Sequence, residues 1–130
     1  MNFSKITAVL SAAISIMSCS TNKEAAGEGY IGPANITVED GKMTPEVLLS
    51  LGRLSDPQLS PDGGTVLYGV SYPSIKDNRS CRNLFVCNTD GSGSRQLTRD
   101  GKSISAARWS LDGKSIFFLQ EGQLWKATYT

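Results

Sequence analysis

The sequence of 130 residues predicts an all-β chain made of two repeated antiparallel units, preceded by one short helix. Three observations support this fold class. Asp-Gly pairs recur between apolar runs, and this dipeptide is a strong signal for a tight β-turn. Residues 59–68 align without a gap on residues 109–118, at a constant offset of 50. The runs beside these turns are apolar on both faces, as in a sheet that is covered on both sides.

The first nineteen residues have the order of a secretory signal, which is a basic start followed by an apolar run. As a helix, residues 6–16 reach about 16 Å, too short for a hydrocarbon core of about 30 Å. Residues 16–19, Ile-Met-Ser-Cys, resemble a bacterial lipobox. This resemblance implies a lipoprotein signal peptide at 1–18, a lipid anchor on Cys19, and an exported chain held on a bacterial membrane, facing the periplasm or the cell surface. An ordinary cleaved signal, in which Cys19 has no role, is the alternative.

A flexible tether and a short helix are expected next. Residues 19–42 are rich in small and polar residues, which predicts a tether without a core of its own. Residues 43–130 form the predicted folded part. Thr44 is an N-cap candidate, Pro45 occupies the first helical position and Gly52 closes the segment, so we expect a helix of about two turns.

The folded part is predicted to contain four strands and then three. The expected strands are 56–60, 65–71, 83–89 and 94–98, followed by 105–110, 115–120 and 123–129. Leu84-Phe85 aligns with Leu124-Trp125 at an offset of 40, so the first unit carries a longer loop at 71–82. In each turn, Gly accepts a positive φ and Asp caps the backbone. The residues assigned to these structural turns are Ser60, Pro61, Asp62, Gly63, Asp90, Gly91, Ser110, Asp112 and Gly113.

A repeated antiparallel unit of this length, covered on both faces, is typical of a β-propeller blade. The prediction is a partial β-propeller of about two blades, with blade one at 54–98 and an incomplete blade two at 105–130. A small β-sandwich or meander is the alternative. Seven strands leave both outer sheet faces and the edge of the last strand uncovered, which predicts low stability for the isolated chain.

Composition argues against several functional classes. The chain has no histidine, so neither a Ser-His-Asp nor a Cys-His site can be built from it. It also lacks a Gly-x-Ser-x-Gly elbow, and we predict no catalytic residue, no metal site and no cofactor. Lys+Arg 13 against Asp+Glu 12 gives no basic footprint, which argues against a nucleic-acid partner.

Cys81 and Cys87 raise the question of a disulfide. On one continuous strand they would lie about 20 Å apart, beyond the roughly 4.4 to 6.8 Å that a disulfide requires, so only a fold-back near Cys81 allows a bridge. We expect Cys87 to be buried and Cys81 to be free or bound to a partner. Tyr72 and Arg79, in the predicted long loop, are candidates to face a substrate cavity in a longer relative.

Ser60-Pro61-Asp62-Gly63 before an apolar strand, with Gln96-Leu97-Thr98 at the end, resembles the WD-repeat-like blade of TolB, tricorn-type and prolyl oligopeptidase proteins. In the second copy, Leu111 departs from the usual Pro. Residues 43–63, 68–72 and 82–85 are similar to the start of secreted prolyl oligopeptidase family serine peptidases of the dipeptidyl or acylaminoacyl type. This resemblance implies a propeller that admits short peptides to a C-terminal α/β-hydrolase domain with catalytic Ser, Asp and His. The partners it implies are that domain, which this chain lacks, and short peptides.

Three functions are consistent with the sequence. The chain is the substrate-gating part of an exported peptidase whose activity belongs to other sequence, or a TolB-like propeller lipoprotein that binds proteins, or a small independent β-domain with a structural role. Whether this chain belongs to an enzyme depends on which of these holds.

Overall fold

The computed structural model describes residues 27–129, together with the backbone of residues 3–5. Cys19 and most of the predicted signal segment lie outside these described residues. The chain is nearly all β, with two antiparallel sheets and one short helix. Within the described part, no helix is long and apolar enough to cross a membrane. The predicted all-β fold class is confirmed, and the two sheets are consistent with a partial propeller.

The elements are β1 Phe3–Lys5, α1 Pro45–Ser50, β2 Arg53–Leu59, β3 Thr65–Ser74, β4 Arg79–Asn88, β5 Arg95–Gln96, β6 Ile104–Trp109, β7 Ser115–Gln120 and β8 Gln123–Thr128. The first sheet has the order β2-β3-β4-β5 and the second the order β1-β8-β7-β6, with every neighbouring pair antiparallel.

The predicted short helix is confirmed as α1. Thr44 is its N-cap, and the Thr44 hydroxyl accepts a hydrogen bond from the Val47 amide at 3.3 Å. Pro45 occupies the first turn, where N–H groups have no acceptor within the helix, so its missing N–H costs no hydrogen bond. A helix of six residues is too short to be stable alone, so it depends on the packing of buried Val47.

The extra length of the first unit is an extended hairpin, whereas the sequence analysis predicts a loop at 71–82. Strands β3 and β4 have 10 residues each and pair from Thr65↔Asn88 to Ser74↔Arg79. Strands β7 and β8 have 6 residues each and are joined by Glu121 and Gly122. Residues 71–74 and 79–82 continue the ladder, so only the four-residue turn at 75–78 remains of the predicted loop.

Strand β5 is shorter than predicted because the Thr98 side chain, and not a backbone carbonyl, accepts a hydrogen bond from β4. The Leu97 amide still donates to the Leu84 carbonyl at 2.8 Å. The Leu84 amide, however, donates to the Thr98 hydroxyl at 2.9 Å and not to a backbone carbonyl. The ladder therefore ends at Gln96, although the chain stays beside β4 through Thr98.

The core lies between the two sheets. Leu67, Leu84, Val86 and Leu97 come from the first unit, and Ile104, Ala107, Ile116, Phe118 and Ala127 from the second. Burial of a Leu, Ile or Phe side chain contributes about 1.5 to 3 kcal/mol, so this shared interface holds the two sheets face to face. The outward faces keep exposed apolar residues, Leu54 and Leu59 on the first sheet and Leu119 and Leu124 on the second, in agreement with the expectation for a partial propeller.

The sequence repeat is reproduced in the turn geometry. The Ser60 hydroxyl donates to the Asp62 carboxylate, which also accepts from the Gly64 amide at 3.1 Å. Ser110, Asp112 and Lys114 make the same two bonds fifty positions later. Leu111, which replaces the usual Pro, is fully exposed and therefore disturbs no packing.

The edge of β8 is covered, contrary to the expectation that the last strand has a free edge. Phe3–Lys5 pairs with it in the register Phe3↔Ala127, Ser4↔Lys126 and Lys5↔Trp125. The second unit itself supplies three consecutive strands, as predicted, and a segment assigned to the signal peptide occupies the fourth position.

Part of the predicted tether is packed against the first unit. The Gly27 backbone amide donates to the Arg99 carbonyl at 2.6 Å, and the buried Asn83 side chain donates through Nδ2 to the Ile31 carbonyl at 3.0 Å. Close approach requires glycine here, because a Cβ on Gly27 would lie 2.7 Å from the Asp100 backbone. Residues 27–31 are named below as the strap.

The expected burial of Cys87 is wrong, whereas Cys81 is free, as expected. Both lie on β4, and neither forms a disulfide in the described chain. Cys81 is fully buried, because the strap covers it, while Cys87 is half-buried. Burial raises the pKa of the Cys81 thiol.

Candidate functional site at the paired bulges

Two β-bulges lie at equivalent positions of the repeat. The β2–β3 register shifts between Ser55 and Gln58, and the β6–β7 register shifts between Ser105 and Arg108. The residue inside each bulge has a left-handed backbone, with φ 51° at Asp56 and φ 50° at Ala106. Such bulges redirect side chains and recur beside binding sites.

The bulges bring three charged side chains together. Asp56 Oδ2 lies 2.8 Å from Arg108 Nη1, which comes from the neighbouring sheet. The same oxygen lies 3.9 Å from Arg82 Nη2, which comes from β4 of its own sheet. One carboxylate therefore faces two guanidinium groups. We call Asp56, Arg82 and Arg108 the bulge cluster.

Gly69 makes the position of Arg82 possible. The Arg82 side chain crosses β3 to approach Asp56, and a Cβ on Gly69 would lie 2.2 Å from Arg82 Nε. A larger residue at this position would block that path. The Arg82 amide is held from the other side by the Ser103 hydroxyl at 3.3 Å.

Hydrogen bonding and charge keep Asp56 ionised. The hydrogen bond from Arg108 is the largest influence and lowers the pKa of Asp56, and partial burial opposes it. The Gln58 side chain also donates to this carboxylate, at 3.1 Å. The Gln58 carbonyl accepts from the Trp109 indole at 3.3 Å, so β2 and β6 make a second contact beside the cluster.

The predicted turn residues do not contribute to this cluster. Asp62, Asp90 and Asp112 accept hydrogen bonds from serine and backbone groups of their own turns. These bonds, chiefly those from the serine hydroxyls, lower the pKa of each carboxyl. Among the described residues, no group of three Cys, Asp or Glu side chains is placed to hold a metal ion.

The predicted cavity residues Tyr72 and Arg79 have other roles. Both lie on paired strands and not in a loop. Tyr72 packs edge-on against Phe85 at 6.5 Å between ring centroids. Arg79 donates to the carbonyls of Gly29 and Gly101 and so fixes the strap. The prediction that they lie in a loop is wrong, and their facing a substrate cavity in a longer relative stays a prediction.

Sequence reasoning misses the bulge cluster. Pro57 was an available signal, because proline inside a strand is confined to edges and bulges. Arg82 and Arg108 lie 26 and 52 positions after Asp56 in the sequence, and their approach to it depends on the packing of the two sheets. No local pattern encodes that approach.

An apolar groove of about 380 Å³ lies between α1, the strap and the β3–β4 hairpin. Leu49 and Ile75 line it and are exposed at 40% and 64%. Glu46, Lys76 and Asp77 also border the groove. The groove is suited to apolar contacts, and at its border the Ser74 hydroxyl donates a hydrogen bond to the Asp77 carboxylate at 2.7 Å.

Comparison with known proteins relates this fold and this sequence to one class of enzyme. No family model matches the chain. Among solved structures, the acylaminoacyl peptidase of Pyrococcus horikoshii superposes with a TM-score of 0.55 at 22% identity, over 64% of this chain and 13% of that one. The dipeptidyl-peptidase 5 of Porphyromonas gingivalis is 43% identical over 93 residues, which are 72% of this chain and 14% of that protein.

These likenesses support the identification of the chain with the prolyl oligopeptidase family of peptidases. Within the family it is similar to dipeptidyl-peptidase 5, since the Porphyromonas endodontalis protein of that name is 42% identical over 102 residues, or 77% of this chain. The chain spans only 14% and 15% of the length of these two relatives. The predicted resemblance to this family is confirmed.

Proposed function

We propose that this chain is part of a substrate-gating propeller in an exported serine peptidase that cleaves short peptides. The observation that carries the proposal is the identity of 42–43% to two dipeptidyl-peptidase 5 proteins, over 72% and 77% of this chain. Since the sequence has no histidine, the catalytic Ser, Asp and His would come from an α/β-hydrolase domain outside it.

The packing of the two sheets supports a gating role. A propeller admits substrate through the space that its innermost strands surround. In this proposal β2 and β6 are those strands, because they lie next to each other and their bulges turn Asp56 and Arg108 to the shared edge. The exposed apolar outer faces would then pack against further blades.

A chimeric enzyme tests this proposal. The matched segment of the Porphyromonas gingivalis dipeptidyl-peptidase 5 is replaced by the corresponding segment of this chain. We expect the chimera to release dipeptides from short chromogenic peptides and to leave folded proteins intact. The matched control carries Phe118→Asp, which places a charge in the shared core and is expected to abolish activity. A folded chimera that degrades folded proteins as readily as short peptides would contradict the gating role.

We also propose that Cys19 carries the lipid that holds the exported chain on a membrane. The lipobox-like order of residues 16–19 supports this proposal. Metabolic labelling with palmitate should mark the wild-type chain and not the Cys19→Ser variant. Equal labelling of both would refute the anchor.

A further inference from the structure

The face between the two sheets carries more positive than negative charge at the bulges. Arg53, Ser71 and Arg82 occupy one row across β2, β3 and β4, so the side chains of Arg53 and Arg82 share a face. Arg108 approaches the same place from β6. Among the described residues, the ion pairs of Arg82 and Arg108 involve a single carboxylate, Asp56, and the exposed Arg53 adds a third cation to this face.

Arg82 has hydrogen-bonding capacity that the described chain leaves unused. Its Nε is buried and has no hydrogen-bond partner among the described residues. Its contact with Asp56 is 3.9 Å long, beyond a normal hydrogen bond, and its side chain is only 20% exposed. The buried Nε lies over Gly69 and is closed to an incoming group, so an additional acceptor can reach only the Nη donors of Arg82.

Arg108 offers an accessible guanidinium at the same place. Its side chain is 54% exposed, and both of its hydrogen bonds use Nη1, one to Asp56 and one to the Ala107 carbonyl at 2.6 Å. The remaining edge of a guanidinium fits the two oxygens of a carboxylate. Arg82 and Arg108 both face Asp56 Oδ2, so an anion bound beside this oxygen would lie close to both guanidinium groups.

We propose that Arg82 and Arg108, assisted by Arg53, bind a carboxylate group of a peptide at the paired bulges. The inference rests on the proposed function only in taking a peptide as the molecule that carries the carboxylate. The group is either the C-terminal carboxylate or an acidic side chain, since both present the same two oxygens. Asp56 holds the arginines in place and competes with the incoming group for their donors.

Binding of small peptides to the full chain tests the site. The probes are Ala-Ala-Ala, its C-terminal amide, and Ala-Glu-Ala amide, each titrated by calorimetry at low salt. We expect Ala-Ala-Ala or Ala-Glu-Ala amide to bind, and Ala-Ala-Ala amide to bind at least about tenfold more weakly than the better of the two, because a charge-assisted hydrogen bond is lost. The stronger of the two carboxylate peptides identifies which source the site prefers.

Variants separate binding from a structural role. Arg82→Gln and Arg108→Gln should each weaken binding at least about tenfold, and Arg108→Lys should weaken it less, since it keeps the charge without the fork. Lys114→Gln is the matched control, because it removes an exposed cation of a turn outside the cluster. Asp56→Asn should strengthen binding, because it removes the competing carboxylate, whereas a purely structural Asp56 predicts the opposite change.

The proposal is overturned if all three peptides bind equally, if none binds, or if the two glutamine variants bind as wild type does. Circular dichroism establishes that each variant is folded. If a variant does not fold alone, the chimeric enzyme carries it, and the ratio of KM for free and amidated peptides replaces the calorimetric ratio. Loss of carboxylate preference in an active chimera would refute this site and leave the proposed gating function intact.

Discussion

Replacement of Gly101 by alanine should detach the strap from the first unit. Gly101 has φ 77°, and a Cβ there would lie 2.3 Å from the Glu28 carbonyl oxygen and 2.8 Å from the Gly29 carbonyl carbon. These are backbone atoms, so no side-chain rotation can relieve the overlap. The strap must move away if Gly101 keeps its conformation.

The size of the effect follows from the strain that alanine introduces in the attached state. Alanine in the left-handed region costs about 1 to 2 kcal/mol. The hydrogen bond from the Asn83 side chain to the Ile31 carbonyl favours the attached strap equally in the wild type and in the variant, so it does not change the ratio. Since 1.4 kcal/mol is tenfold, strain of about 1 to 2 kcal/mol should raise the detached population about five- to thirtyfold.

The assay is the labelling rate of the Cys81 thiol, which is fully buried under the strap. Cys19→Ser and Cys87→Ser remove the other two thiols of the chain. Gly113→Ala is the matched control, because Gly113 also has a positive φ, 68°, but the nearest neighbouring atom to its Cβ lies at 3.6 Å. Equal labelling rates in the two alanine variants would refute the reasoning.

Three further predictions concern the core, the turns and the short strand β5. Phe118→Ala should lower the free energy of unfolding by about 3 to 5 kcal/mol in urea titrations, whereas Leu111→Ala, at a fully exposed position, should change it by less than about 0.5 kcal/mol. The folded-state pKa values of Asp62 and Asp112 lie below the ordinary 3.8. The contribution of these two carboxylates to stability is therefore present above pH 3.8 and is lost as the pH falls through the lower folded-state values. Replacement of both by asparagine should make the urea midpoint less dependent on pH between about 5 and 2. Thr98→Val should cost about 1 to 3 kcal/mol by urea titration, because the β4 amide that donates to its hydroxyl loses its acceptor, and an unchanged midpoint would contradict that role.

Local signals predict the parts of this fold that local chemistry determines. Asp62 and Asp112 each lie in the turn that their Asp-Gly pair indicates, since the carboxylate and its serine lie two positions apart. The hairpin of the six-residue strands β7 and β8 follows from the apolar runs around Glu121 and Gly122, both of which adopt positive φ.

Contacts between distant segments are what the sequence does not reveal. The strap has the composition of a tether, but Gly27 and Gly101 allow its backbone to approach the first unit closely. Arg82 reaches Asp56 only because β3 has a glycine, Gly69, in the path of the side chain. These contacts depend on the placement of a second segment, which no periodicity within one segment specifies.

The fluorescence of Trp109 can be used to follow the contact between the two sheets. Its indole N–H donates across the junction to the Gln58 carbonyl, while its ring stands edge-on to Tyr129 at 5.0 Å. The other tryptophan of the chain, Trp125, belongs to the second sheet and packs against the core. Fluorescence of a Trp125→Phe variant would therefore come from Trp109 alone, and its emission would follow the separation of the sheets as an event distinct from the melting of either one.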